Sequence, residues 1–566
     1  MANFSTQLVR DSRINDITDE PVVSVFQGAG SNTYQSFQAT STSSSNISFN
    51  VQLPSESIIL DRNVLIRSVV NFRLTFSNVA DTVRPFALGS NIAFQSFPLN
   101  RLFSTASAQI NNTNVAINQQ DVMDFLLLMT DPSDLKKYSG MTPYLRDKYF
   151  YNYTDAVSSG GDALTDALGF ELDGVEPRGS FRILSATSDQ VAPNEWLNSS
   201  GGALTYNIDI SAEFSEPLFL SPFVFNNKAN NNQQGIVGVN NFNLVLNIDS
   251  SLKRVFSYRG VAGLTATFQA QPFTNTQLLL NFLSPQPTDL IKASNSVPYY
   301  DFPRWVSQSG VVPNLPANSS AQVVSQNIQL NQIPELVFIG VRQSMSSLTP
   351  SNSSSFVSIQ NISINFNNTS GLLASASQQD LYRMSVSNGL QMSWSEFNGK
   401  VNKNSNTNAS PVGSTCVIPS IGGILVFNPA KDWSLPSYLS NGSIGQYNLQ
   451  FNLGVFNQTS SPINNGELVV VVMNSGVFHT LNGASAIYTG LINKNMVLET
   501  AQKEDAVSSK EYESLVGGSL SSRVSSAMRM LVPRLSKYGR KPAPNVRAGF
   551  VGSRSGGVSS KLDQFA

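Results

Sequence analysis

One histidine and one cysteine limit the chemistry open to this 566-residue chain. Any Ser-His-Asp or Cys-His arrangement would have to use His479, since an imidazole is the usual general base near neutral pH. His479 stands in Val477-Phe478-His479-Thr480-Leu481, at the end of an apolar strand, which reads as a packing or loop position. Cys416, in Thr415-Cys416-Val417-Ile418, reads as a small buried apolar residue in a strand. A disulfide framework and a Cys/His zinc site are both excluded by count. Two carboxylate pairs, Asp121 with Asp124 and Glu213 with Glu216, could in principle serve glycoside hydrolysis. At this spacing both read instead as ordinary solvated or capping positions. Gly422-Gly423 lacks the Lys and Ser/Thr of a phosphate loop. No catalytic, cofactor-binding or metal-ligating residue is assigned from these patterns, and no cofactor is implied.

The C-terminal stretch carries a different chemistry. Arg523, Arg529, Arg534, Lys537, Arg540, Lys541, Arg547, Arg554 and Lys561 follow one another with no acid between them, among Gly and Pro that break a long helix. The reading is a basic, mostly extended tail with one helix over Ser521 to Leu535. A run of cations on an extended chain gains counterion-release energy against a polyanion. The bland alternative is a solvated tail with no partner.

The elements that would position any of these residues are strands. Charged residues are only 13% of the chain, against about 25% in an ordinary soluble domain. Solubility therefore rests on Asn, Ser, Thr and Gln, which favour turns and strands over long helices. A surface poor in charge costs less to desolvate against neighbouring copies. The net charge of −1 gives no global argument for nucleic acid or membrane partners. No signal-peptide core and no apolar run of about 18 residues is present, so the expectation is a soluble cytosolic chain. The Asn-x-Ser/Thr triplets, as at Asn46, Asn152, Asn198, Asn318 and Asn361, are what so Asn-rich a chain produces by chance.

Residues 1 to 40 read as a polar N-terminal arm. Period-two alternation then begins at Ile47 to Leu53 and recurs at Val70 to Phe76, Ala203 to Ile210, Phe242 to Ile248 and Leu264 to Phe268. It resumes at Ile328 to Leu330, Glu335 to Val341, Val357 to Phe366, Tyr447 to Leu453 and Leu468 to Met473, with Gly, Pro and Asn turns between. This is the spacing of β-sandwiches. One early helix is expected over Gln119 to Thr130, with Asn118 as N-cap.

The two halves repeat one another. Ile110-Asn111-Asn112-Thr113 leads to Gln119-Gln120-Asp121 and a helix, and Phe366-Asn367-Asn368-Thr369 leads to Gln378-Gln379-Asp380 and a helix. Glu216 to Ser221 then precedes the Phe242 strand as Leu435 to Ser440 precedes the Tyr447 strand. Two landmarks in one order argue for two copies of one all-β unit. The expected division is an arm at 1–40, a first unit at 41–257, a second at 258–500 and a tail at 501–566.

With these landmarks in place, the chain resembles the double-jelly-roll major capsid proteins of virophages and polinton-like viruses, in the lineage of adenovirus hexon. The resemblance spans residues 40 to 500. It rests on Leu60 to Ile66, Phe94 to Leu102, the Ala108 to Thr113 turn with its helix, and Ile333 to Arg342. It implies an all-β fold of two tandem jelly-roll sandwiches with short helical excursions. It also implies a homotrimer whose six rolls form a pseudo-hexagonal capsomer of an icosahedral virion, with penton or minor capsid proteins as partners. Strands would stand nearly upright in the shell, and the insertions Asp155 to Pro193 and Asn226 to Asn241 would build outer loops. The basic tail would face inward, onto genome phosphates or a neighbouring shell protein. Such coat proteins are sometimes trimmed at Gly-Gly, which makes Gly517-Gly518 and Gly556-Gly557 candidate cleavage sites.

Three function classes stay in view. A coat protein predicts stable trimers, a carbohydrate-binding adhesin or viral fibre predicts exposed aromatic platforms, and a glycosidase predicts a cleft with two carboxylates. The neutral surface, the repeat and the missing secretion signal favour the first.

Overall fold

The computed structural model describes residues 8–10, 23–25, 30–53, 58–79, 92–147, 181–188, 204–223, 235–258, 264–285, 294–350, 352–404, 415–436, 439–459, 461–481, 483–490 and 492–493. Most of the two loop insertions named above lies outside these residues, as does the whole tail.

Strict alternation in the sequence becomes one-sided burial. In Asn46–Gln52, Ile47, Phe49 and Val51 are buried, while Asn46, Asn50 and Gln52 face outward. This strand belongs to a five-stranded sheet in the order Thr113–Ile117, Phe103–Ile110, Asn241–Ile248, Asn46–Gln52, Ser41–Thr42. A second sheet runs Arg182–Ser188, Leu204–Pro217, Leu65–Val79, Leu264–Pro285, Gly30–Gln38, with Ile59–Leu60 paired beside Leu264–Pro285. Both sheets are antiparallel and contribute their apolar faces to the core. There Phe94 lies 5.6 Å from Phe72, 5.2 Å from Phe214 and 4.9 Å from Phe256, centroid to centroid. Edge-on and tilted rings at these distances add to the burial of their area.

The second half repeats the plan. One sheet runs Ser294–Asp301, Gly466–Leu481, Leu336–Gln343, Leu425–Phe427, and the other Ser320–Val324, Ser443–Phe456, Ser358–Phe366, Thr369–Leu372. Leu336–Gln343 and the Leu468–Met473 stretch of its neighbour Gly466–Leu481 are buried throughout, and Leu336 to Val341 and Leu468 to Met473 are correspondingly apolar without interruption by a polar residue.

The expected boundary at 257/258 is corrected by the pairing. Leu264–Pro285 sits between Leu65–Val79 and Gly30–Gln38, so it closes the first roll and does not open the second. The first roll therefore extends through 285, and the next strand, Ser294–Asp301, pairs with Gly466–Leu481 in the second roll. The expected arm is shortened too, since Gly30–Gln38 is a sheet strand.

The predicted duplication appears at single-residue detail. Asn111 and Asn367 each turn the chain at positive φ, 53° and 51°. Each donates its N–H to the adjoining strand, Asn111 to Asn241 O at 2.9 Å and Asn367 to Asn448 O at 2.8 Å. Each side-chain Oδ1 accepts a backbone N–H, from Asn240 at 2.8 Å and from Asn448 at 2.7 Å. Asn tolerates the left-handed region and supplies that acceptor, which is why it recurs here. Helices follow in both rolls, Gln119–Met129 and Gln378–Ser387.

Candidate functional site

The strongest concentration of buried polar chemistry is the seam where the rolls meet, and the helix Gln119–Met129 is its wedge. Val122, Phe125 and Leu126 are buried, and so are its acids, Asp121 at 4% and Asp124 at 7% exposure. Its Phe125 ring packs 6.0 Å from Phe338 and 5.6 Å from Phe356 of the second roll. Leu128 O accepts from Gln391 N at 2.8 Å.

Asp121 crosses the seam. It pairs with Arg342, whose Nη2 meets Oδ1 at 2.5 Å, and with Arg304, whose Nε meets Oδ2 at 2.8 Å. Arg342 also holds Glu467 at 2.7 Å. Burial alone would lower the Arg342 pKa, but Glu467 and Asp121 outweigh it and hold the guanidinium above its ordinary range. Behind this pair Asp124 meets Arg101 at 2.9 Å. Burial would raise the Asp124 carboxyl, yet the guanidinium groups of Arg101, Arg254 and Arg342 prevail and hold it below its usual range. Burial also brings Arg254 down to about 10. Charges this deep survive only because each answers another, and removing one partner leaves its mate exposed to the full desolvation cost.

A second knot lies around Glu216. Its carboxylate accepts from Leu99 N at 2.9 Å, Asn100 N at 2.8 Å, Asn100 Nδ2 at 2.8 Å and Thr142 Oγ1 at 2.6 Å. Gln119 Nε2 then donates to Asn100 Oδ1 at 2.7 Å and ties the knot to the wedge helix. Burial pushes the Glu216 carboxyl up, against the pull of these four donors.

Neutral groups complete the seam. Gln95 donates to Ser353 Oγ at 2.9 Å and accepts from Ser354 Oγ at 2.7 Å. The first roll's Asn-Asn-Thr turn docks on the hairpin strand Ala484–Thr489 of the second. Asn112 Oδ1 accepts from Ser485 N at 2.8 Å, and Thr113 Oγ1 donates to Ser485 O at 2.6 Å.

The solvated or capping reading of the carboxylates is thus corrected for Asp121, Asp124 and Glu216. A signal was available: Val122 to Met129 is apolar nearly all round, and a helix of that kind is buried on every face, its acids included. Glu213 keeps a surface role, paired with Arg67 and, at 3.8 Å, with Arg182. Asn118 precedes the helix as expected, but its side chain caps no helix N–H.

His479 lies on Gly466–Leu481 opposite Ser296, and its Nδ1 is 2.9 Å from Ser296 Oγ, a cross-strand neighbour. Among the described residues no group of three His, Cys, Asp or Glu is placed to hold a metal ion, and no helix is long and apolar enough to cross a membrane. Gly422, at φ 74°, and Gly423 serve packing: a Cβ on Gly422 would lie 2.1 Å from Phe356 O, and one on Gly423 2.6 Å from the Phe397 ring. Cys416 lies in the strand Thr415–Pro419 as expected. Arg523, Arg529, Arg534, Lys537, Arg540, Lys541, Arg547, Arg554, Lys561 and the pairs Gly517-Gly518 and Gly556-Gly557 lie outside the described residues.

Comparison with known proteins gives the seam a context. Residues 2–283 match the family model of the Sputnik virophage major capsid protein 1st domain, and residues 302–476 match that of the major capsid protein V20 C-terminal domain. The gap between the matches falls where strand pairing separates the rolls. A putative capsid protein V20 of Sputnik virophage is 28% identical over 530 residues, covering 90% of this chain and 84% of the relative. Among solved structures, a chain of the Sputnik virophage cryo-EM structure superposes with a TM-score of 0.71 at 24% identity, covering 90% of this chain and 97% of that one. The mavirus major capsid protein superposes with a TM-score of 0.61 at 16% identity, covering 88% of this chain and 98% of that one.

Proposed function

Because the chain belongs to the virophage major capsid protein family and is a capsid subunit, we propose that it builds its shell as a homotrimeric, pseudo-hexagonal capsomer. The observation that supports this most directly is the equivalence of the two rolls, set by Asn111 and Asn367 with matching backbone partners. A closed threefold ring of a subunit with two equivalent lobes has six lobes. The buried seam contributes rigidity, because it fixes the angle between the lobes before any copy meets another.

On the same reading the chain divides into an arm, a first roll through 285, a second roll from 294 to 493 and the basic tail. The tail, with Arg523 to Lys561, faces the shell interior and contacts genome phosphates or an inner shell protein. Gly517-Gly518 and Gly556-Gly557 are sites of proteolytic trimming. Penton or minor capsid proteins fill positions the trimer cannot.

The test is the mass of the purified full-length chain by light scattering. Three chain masses, each 61.3 kDa, support the capsomer. A monodisperse monomer at every concentration overturns it and brings forward the adhesin reading.

A further inference from the structure

Two of the four main sheets present outward faces with little or no charge, and they are the equivalent sheets of the two rolls. In the first roll, Gln109, Asn243 and Asn50 form one row across three strands, and Ser107, Val245 and Ser48 form the next. In the second roll, Asn365 stands opposite Gln450, and Ser363 and Val324 flank Asn452. Aliphatic side chains project from the same strands: Val245 is 38% exposed, Val324 52% and Ile444 51%. The first roll's other sheet is built differently. Across its outward face run the ion pairs Arg67 with Glu213 and Arg73 with Asp209, with side-chain exposures of 49%/18% and 48%/30%.

The contrast has a physical meaning. Desolvating a charge is costly unless a partner answers it, so the centres of protein interfaces are depleted of charge. A face that stays in water has no such constraint and can carry ion pairs that are individually weak and screened by solvent. We propose that the two uncharged sheet faces are where neighbouring copies of this chain meet. The inference rests on the self-assembly reading above and deepens it by naming the surface. A second copy is the fitting occupant because the face occurs once per roll. Each subunit thereby offers two matching neutral surfaces, which a ring of near-equivalent lobes requires. Side-chain amides and hydroxyls there can pair with the same groups on the next copy, without a charge that would need a particular partner.

The test places one carboxylate on each face of the full-length chain, Val245→Glu and Asn452→Glu, with Thr265→Glu on the ion-paired sheet as control. Thermal melts followed by circular dichroism establish that each variant is folded, and the mass distribution from subunit to particle is read by light scattering. The expected result is that Val245→Glu and Asn452→Glu raise the concentration needed for half-assembly by more than about tenfold, while Thr265→Glu assembles like the unsubstituted chain. Unchanged assembly in both face variants overturns the proposal and leaves the capsomer reading standing. An unsubstituted chain that never assembles overturns both.

Discussion

Asp121 belongs to the first roll and Arg342 to the second, and their charges meet where each side chain is 5% exposed. Arg342 reaches Glu467 with its other edge, so a single guanidinium couples a helix of one roll to the central strands of the other. A contact of this kind adds little net stability over an apolar one of the same shape, but it penalises every arrangement in which the partners separate. It therefore fixes the inter-roll angle.

The first prediction concerns that pair. Asp121→Ala leaves two arginines short of a partner and is expected to destabilise the chain by about 3 kcal/mol or more. Asp209→Ala, which breaks the exposed pair with Arg73, is expected to cost less than about 1 kcal/mol. Urea-denaturation midpoints of the two variants check this, and equal shifts would contradict it.

Glu216 gives the second. Glu216→Ala removes the acceptor of the Leu99 and Asn100 N–H groups and of the Thr142 hydroxyl, and leaves the Asn100 amide with Pro217 O alone, all in the interior. At about 1 kcal/mol for each lost bond the expected loss is about 4 kcal/mol, read as a fall in melting temperature. Glu216→Gln keeps an acceptor and should lose less.

The third prediction tests the duplication. Asn111→Ala and Asn367→Ala each force a Cβ-branched-free but unfavoured residue through a positive φ and delete an accepted backbone N–H. Each is expected to cost about 1–2 kcal/mol, Asn111→Ala the more of the two because its Nδ2 also donates to Gly238 O at 2.9 Å. Asn→Gly at either position should recover part of that loss, because glycine restores the backbone freedom but not the acceptor.

A pH dependence follows from Glu335. Burial pushes its carboxyl up to about 7 from an ordinary 4.5, against a hydrogen bond with Asn441. Between those values the folded chain holds a proton that the unfolded chain has released, so stability falls as pH rises through this window. The contribution is fully present below about pH 4.5 and lost above about pH 7, on the order of 3 kcal/mol. Glu335→Gln is expected to stabilise the chain at pH 8 and to change little at pH 4. Melting curves at the two pH values measure it; an equal effect at both would contradict the assignment.

The strand content was legible because period-two alternation is local: Asn46–Gln52 and Asn241–Ile248 bury the residues their sequences mark. The turn at Asn111 was legible because Asn at a tight turn carries its own reason. The roll boundary was not, since whether Leu264–Pro285 closes one sheet or opens another depends on partners more than 180 residues away, at Leu65–Val79. The burial of the wedge helix was legible in its apolar run, but the pairing across the seam was not, for the same reason. Asp121 and Arg342 are 221 residues apart, and nothing beside either one in sequence names the other.

The most direct test of the account is the projected outline of the purified assembly in negative-stain electron microscopy. Two equivalent rolls per copy in a threefold ring predict a hexagonal outline with six lobes of similar size. A three-lobed outline, or an elongated rod, would contradict it.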